Sequence, residues 1–221
     1  MPGPAADGGA SQAGTGGVDD DRGRPADRQA VREVIAAAAL DNLAVRNAGG
    51  QLGDVQSTLD SLMDSVLSDP DRVAALERTG LLDDPPRLAL DQFAALAAEA
   101  LGTHYAAVSL VDPDEQVIVG CNVDEGFVRR RPLEQSICKY AVASGEPMIV
   151  DDASEHPLLA GNPMVQDGSV RSYAGIPLID QRGHAVGTLC AWDGQPRHWT
   201  GSQIQILEDL TAVARAKIFV E

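Results

Sequence analysis

The residues of this chain that could do chemistry are few, and their spacing limits what that chemistry is. Cys121, Cys138 and Cys190 sit far apart in sequence. A thiol becomes reactive as its thiolate, which needs a nearby cation or helix N-terminus. The run Arg129-Arg130-Arg131 could supply that cation to Cys121 or Cys138. It could also bind an anion, or lie in a solvated loop paired with local carboxylates. Cys138 therefore reads as a redox sensor, a cofactor attachment point or a packed small hydrophobe. Cys190 lies in a strand pattern and reads as core, whereas Cys121 closes a strand and could be exposed. His104, His156, His184 and His198 show no ligand spacing with one another or with a cysteine, so no metal site is expected. His156 alone is placed to serve as a haem ligand, with a surface histidine as the alternative. Asp151-Asp152 could bind a cation or cap the turn that follows. No Ser-His-Asp order, phosphate-binding loop or dinucleotide fingerprint occurs, so no catalytic residue is assigned.

These residues depend on the elements around them. Residues 134–152 (EQSICKYAVASGEPMIVDD) read as a short helix, a Gly-Glu-Pro break and a buried strand. Residues 172–180 and 185–193 are two apolar runs around the tight turn Gln181-Arg182-Gly183-His184, which predicts a hairpin. Upstream, residues 104–112 and 116–121 read as another strand pair around Pro113-Asp114-Glu115. Leu88, Phe93, Leu96, Ala97, Ala100 and Leu101 form a helical stripe ending at Gly102, with Asp84 and Pro85 as its start signal. Residues 153–171 make a long connection with one helical turn near 162–166, of the length that forms lids and binding loops. Thr200 and Gln203 predict a capping box for a last helix, with Trp199 and Ile204 as its hydrophobic staple. The order is helix, two strands, helix, strand, lid, two strands, helix.

Upstream of this, residues 1–27 are rich in Gly, Ala and Asp and read as a disordered tail. Residues 28–79 read as a helical segment. Its first helix takes Asp27 as N-cap and Gly49-Gly50 as stop. Its second carries Leu52, Val55, Leu59, Leu62 and Val66 at spacings of an a/d seam, which could pair two chains or pack within one. A third runs over 72–79 and ends at Gly80. Residues 80–221 form the remaining unit.

Charge and hydropathy exclude some functions. With 33 acidic against 17 basic residues the net charge is −16, which repels phosphate backbones and anionic lipid. No apolar run approaches the roughly 20 residues of a membrane span. The amino terminus lacks a signal-peptide core. A cytoplasmic protein that binds neither nucleic acid nor membrane is expected.

From residue 78 to 214 the sequence resembles the GAF family of sensory domains. The likeness is carried by Thr79-Gly80-Leu81-Leu82-Asp83, Val108-Ser109-Leu110-Val111-Asp112, Ser136-Ile137-Cys138-Lys139-Tyr140-Ala141-Val142, Val150-Asp151-Asp152-Ala153, Tyr173-Ala174-Gly175-Ile176-Pro177-Leu178 and Gly187-Thr188-Leu189-Cys190. It is most similar to the bacterial subtype that accompanies histidine kinases, cyclases and phosphatases. The resemblance implies an α+β fold: a central antiparallel sheet of five to six strands flanked by helices, here preceded by helices. It also implies a small-molecule pocket on one face and a homodimer through flanking helices. The NKFDE-type motif of cyclic-nucleotide-binding members and the Cys-His pair of bilin-binding members are absent. The cysteines do not match the contexts expected of the methionine sulfoxide reductases in the family.

The expected function is thus a non-catalytic regulatory protein in bacterial signal transduction. Its pocket would be walled by Val108, Leu110, Cys138, Tyr140, Tyr173, Gly175 and Thr188, with Asp151 at the rim. The ligand is unassigned, as is any cofactor. A signalling kinase, phosphatase or cyclase would be the partner, reached through the N-terminal helices because no output motif is visible. The alternatives are a thiol-based redox sensor or reductase using Cys138, and a haem-binding sensor.

Overall fold

The longer strands are buried at nearly every position, so both faces of one sheet are covered. The computed structural model describes residues 25–40, 52–83, 87–123 and 128–219. Among these, six antiparallel strands form one sheet in the order β3-β2-β1-β6-β5-β4. They are β1 (Tyr105–Val111), β2 (Glu115–Cys121), β3 (Arg130–Pro132), β4 (Met148–Val150), β5 (Ser172–Ile179) and β6 (Ala185–Asp193). Helices α1 (Pro25–Leu40), α2 (Leu52–Leu67), α3 (Pro70–Arg78), α4 (Arg87–Leu101), α5 (Cys138–Ser144), α6 (Pro163–Gln166) and α7 (Gly201–Ile218) flank it. This is the expected α+β architecture. β3 is an addition: the arginine run, read as a loop, is an edge strand in which Arg130 and Arg131 pair with Val117 and Gln116. A charged edge strand is a common way to discourage pairing with other chains.

Strand parity divides the core in two. Ala106, Val108 and Leu110 of β1 face one layer with Ala94, Ala97, Leu101, Leu189, Ala191 and Leu207, under α3, α4 and α7. Ala107 and Val111 face the other, with Cys138, Ala141, Val142, Tyr173 and Cys190. Over that second layer lie α5 and then α1 and α2, through Val31, Leu59, Met63, Val66 and Leu67. Leu59 and Val66 of the a/d seam are therefore buried within the chain.

Caps explain the boundaries. Asp69 caps α3 by accepting from the Asp71 amide at 2.9 Å, and Pro70 opens the helix. Thr200 and Gln203 form the capping box of α7. Asp27 is not an N-cap: α1 begins at Pro25, and the Asp27 carboxylate instead accepts from Ser65 Oγ of α2 at 3.0 Å. The expected stop at Gly49-Gly50 and the cap at Asp84-Pro85 lie outside the described residues.

One buried cation joins the α2–α3 corner to the sheet. Arg72 is 1% exposed. Its guanidinium donates to the Leu67 carbonyl, and through Nη1 to the Val111 carbonyl at 2.8 Å. Burial lowers its pKa to about 10, opposed by Asp112 and Asp69, so it remains charged at neutral pH. Arg72→Ala leaves two buried carbonyls without donors, at about 1–3 kcal/mol each. We expect urea denaturation to show a loss of roughly 2–5 kcal/mol, with Arg72→Lys recovering part of it because an ammonium lacks the planar fork.

Candidate functional site

The apolar layer beneath α5 holds a cluster of buried polar side chains. Cys138 is the first residue of α5 and points at the sheet, 3% exposed. Its Sγ accepts from Ser109 Oγ of β1 at 3.2 Å, Gln116 Nε2 of β2 at 3.3 Å and Tyr173 Oη of β5 at 3.2 Å. Cys190 Sγ of β6 lies 3.8 Å away. Thr188, two residues before Cys190 on the same strand face, shares a 3.1 Å hydrogen bond with Ser109. The cluster exists because these are inward positions of adjacent strands: Ser109 pairs with Thr188, and Cys190 with Gly175. Gly175 has a steric task, since a Cβ there would overlap the Tyr173 phenol.

These donors set the protonation state. The Cys190 thiol, against the opposing effect of burial and with help from Ser109, Thr188 and Tyr173, holds Cys138 below the usual thiol range. Cys190 is pushed the other way, by its bond to Cys138 and by burial. Burial also raises Tyr173 well above the ordinary phenol range, so it stays a donor. The two shifts run in opposite directions and favour Cys138 over Cys190 as the thiolate, an arrangement suited to nucleophilic attack by Cys138 and resolution by Cys190.

A cavity of about 40 Å³ opens beside the thiols. Its polar lining is Gln116, Arg131, Gln135 and Tyr173; its apolar lining includes Ile118, Met164 and Trp192. The arginine run thus has divided roles. Arg129 pairs with Asp91 at 3.5 Å and Arg130 with Glu115. Arg131 donates to the Val128 carbonyl and to Met164 Sδ. Burial lowers the Arg131 pKa while the Cys138 thiolate and Asp167 raise it.

Of the eight expected pocket residues, Cys138, Tyr173, Gly175 and Thr188 come together. Val108 and Leu110 do not: strand parity turns them to the opposite layer, under α4, and Ser109 between them faces the cluster. Tyr140 donates to the Leu158 carbonyl at 3.3 Å in the long connection. Asp151 lies apart from that cluster. It accepts from the Trp199 amide at 3.2 Å and contacts His198 Nδ1 at 2.9 Å, fastening the entry to α7. Asp152 caps the next turn through Ser154 and pairs with Arg171 at 2.9 Å. The Arg171 bond, with Ser154, lowers its pKa to about 2. Cys121 is buried, with its Sγ donating to Val123. His156 Nδ1 accepts from the Leu158 amide at 3.3 Å within its own turn. No cluster of metal-ligating side chains occurs among the described residues, nor is any described helix long and apolar enough to cross a membrane.

Ser109, Gln116 and Cys190 were not expected at this site, and Arg131 enters it from the run read as a possible cation for Cys138. A signal existed for Ser109, the polar interruption of an otherwise apolar strand, whereas Gln116 sits in the polar start of β2.

The GAF domain model matches residues 85–218, and the chain belongs to that family. Among curated proteins it is 29% identical over 152 residues to a protein named cyclic di-GMP phosphodiesterase PA2567 from Pseudomonas aeruginosa, covering 66% of this chain and 25% of that one. The chain thus spans about a quarter of the curated relative it matches. Solved structures of similar fold include a free methionine-R-sulfoxide reductase from Neisseria meningitidis, with 21% identity, TM-score 0.47, and coverage of 75% of this chain and 90% of that one. Another is the GAF domain of an Acinetobacter phosphoenolpyruvate-protein phosphotransferase, with 17% identity, TM-score 0.45, and coverage of 66% and 89%. The expectation that the chain is not an enzyme is overturned by the curated relative, which is named as a phosphodiesterase.

The hydrogen-bond geometry makes a titration prediction. Free cysteine titrates near pH 8.5, so the thiolate ultraviolet absorbance of this protein should show a step below that value which Cys138→Ser abolishes. Tyr173→Phe should move the step up by about one pH unit or more, since a hydrogen bond to a charged group is worth roughly 1.5–3 kcal/mol. A step at or above the free-cysteine value would contradict the assigned thiolate.

Proposed function

We propose that this GAF domain works through a redox-active thiol pair, with Cys138 as the attacking thiolate and Cys190 as the resolving thiol. The 3.8 Å Sγ–Sγ approach inside a shell of hydroxyl and amide donors carries this reading. A buried cysteine that serves packing alone has no use for three donors aimed at sulfur. On oxidation the two thiols lose two electrons and two protons to an oxidant of the peroxide class and form one S–S bond. A cellular dithiol restores them.

The pocket for a metabolite receives less support. Small-molecule sites occupy roughly 300–1,000 Å³, whereas the cavity on this face has about 40 Å³. Regulation would then follow from the thiol state. Cys138 opens α5, and the other end of that helix is held by Arg32 of α1, which donates to the Ser144 carbonyl at 2.5 Å. A shift of α5 would reach α1 and α2, and through them a partner enzyme of signal transduction in the reducing cytoplasm.

The decisive experiment is peptide mapping by mass spectrometry after mild oxidation. A Cys138–Cys190 crosslink should accumulate, reverse with dithiothreitol and vanish in Cys190→Ser, where a Cys138 sulfenic acid should be trapped by dimedone instead. Oxidation of Cys121 with the pair intact would refute the assignment.

A further inference from the structure

A small cavity lies beside the thiol pair. Room for one water requires about 10–15 Å³, and the cavity offers about 40 Å³. Its apolar lining is made of large groups: Trp192 and Ile118 from the sheet, Met164 from α6 and Ile137 ahead of α5. A molecule of two heavy atoms fits there, whereas an amino-acid sulfoxide, an aryl hydroperoxide or glutathione disulfide does not. The lining is polar where such a molecule would react. Gln116 and Tyr173 already touch the Cys138 sulfur, and the Arg131 side chain lines the same cavity. A guanidinium is suited to an oxygen that gains negative charge, because its hydrogen-bond donors are charged and fixed in one plane.

Resting on the thiol reading above, we propose that the substrate of this site is hydrogen peroxide itself, admitted by the cavity beside Cys138 and oriented by Arg131 and Gln116. The Cys138 sulfur attacks one peroxide oxygen. The S–O bond forms as the O–O bond breaks, sulfur loses two electrons, and the departing hydroxide leaves as water with the proton that the Cys138 thiol had released. Cys190 then displaces water from the sulfenic acid, giving the disulfide. Arg131 stays protonated throughout and favours the leaving hydroxide by charge. Met164, whose sulfur accepts from Arg131 Nη1 at 3.1 Å, is the gate residue that limits size.

Two measurements on the full chain separate this proposal from the reading beneath it. The first is equilibrium: overnight incubation in glutathione redox buffers, where transient opening gives slow reagents access, followed by mapping of the Cys138–Cys190 crosslink. The second is rate: stopped-flow oxidation of the reduced protein by hydrogen peroxide and by cumene hydroperoxide, each divided by the rate for free cysteine. Expected is a crosslink at equilibrium together with a normalised preference for hydrogen peroxide on the order of tens-fold, the scale of steric discrimination in a fitted pocket. Met164→Ala should raise the cumene hydroperoxide rate and leave the thiolate titration in place. Arg131→Gln should slow hydrogen peroxide without moving the equilibrium. A crosslink at equilibrium with equal normalised rates would overturn the size selection and leave the thiol pair standing. Absence of the crosslink at equilibrium would overturn both.

Discussion

A polar cluster buried in an apolar layer must satisfy itself, and that constraint governs this structure. Ser109 and Thr188 are fully buried, and Cys138, Tyr173 and Cys190 nearly so. Each finds partners in the set: hydroxyl to hydroxyl, and hydroxyl, amide and thiol to sulfur. Five elements must hold register for this to work. β1, β5 and β6 align Ser109, Tyr173, Thr188 and Cys190, β2 brings Gln116, and the start of α5 brings Cys138. The two core layers on either side of the sheet fix those registers, because a slip of one residue would exchange the cluster with Val108, Leu110 and Leu189.

The electrostatics follow from the same enclosure. Cys190 is favoured as the neutral thiol, by its bond to Cys138 and by burial in a low-dielectric layer. Cys138 differs because donors converge on it from three strands. Reactivity is thus a property of the contacts made by the strands, and the helix that carries the sulfur contributes its position.

How much of this was legible depends on whether the information is local. Apolar runs bounded by turn residues marked β1, β2, β5 and β6, and the Thr200–Gln203 box and the Asp152–Ser154 turn were readable because each is complete within a few residues. β3 was missed because three consecutive arginines carry no apolar alternation, and its register comes from pairing with β2. The pocket list failed at Val108 and Leu110 for a parity reason: a wholly apolar strand does not announce which face meets which layer, and only the partner elements decide. The proximity of Cys138 to Cys190, 52 residues apart, is a product of topology alone. Arg131 was recognised as a possible cation for a thiol, but its selection over Arg129 and Arg130 required the edge strand.

The family match begins at residue 85, yet the layer above the thiols is finished by Val31, Leu59, Met63, Val66 and Leu67, all upstream of it. Arg72 adds a fastening from the same side, reaching across to the end of β1. An excised fragment that starts at the family boundary would therefore present α5 bare to solvent and leave the Val111 carbonyl without its donor. In this chain the smallest piece able to keep its interior dry is larger than the piece that defines its kinship.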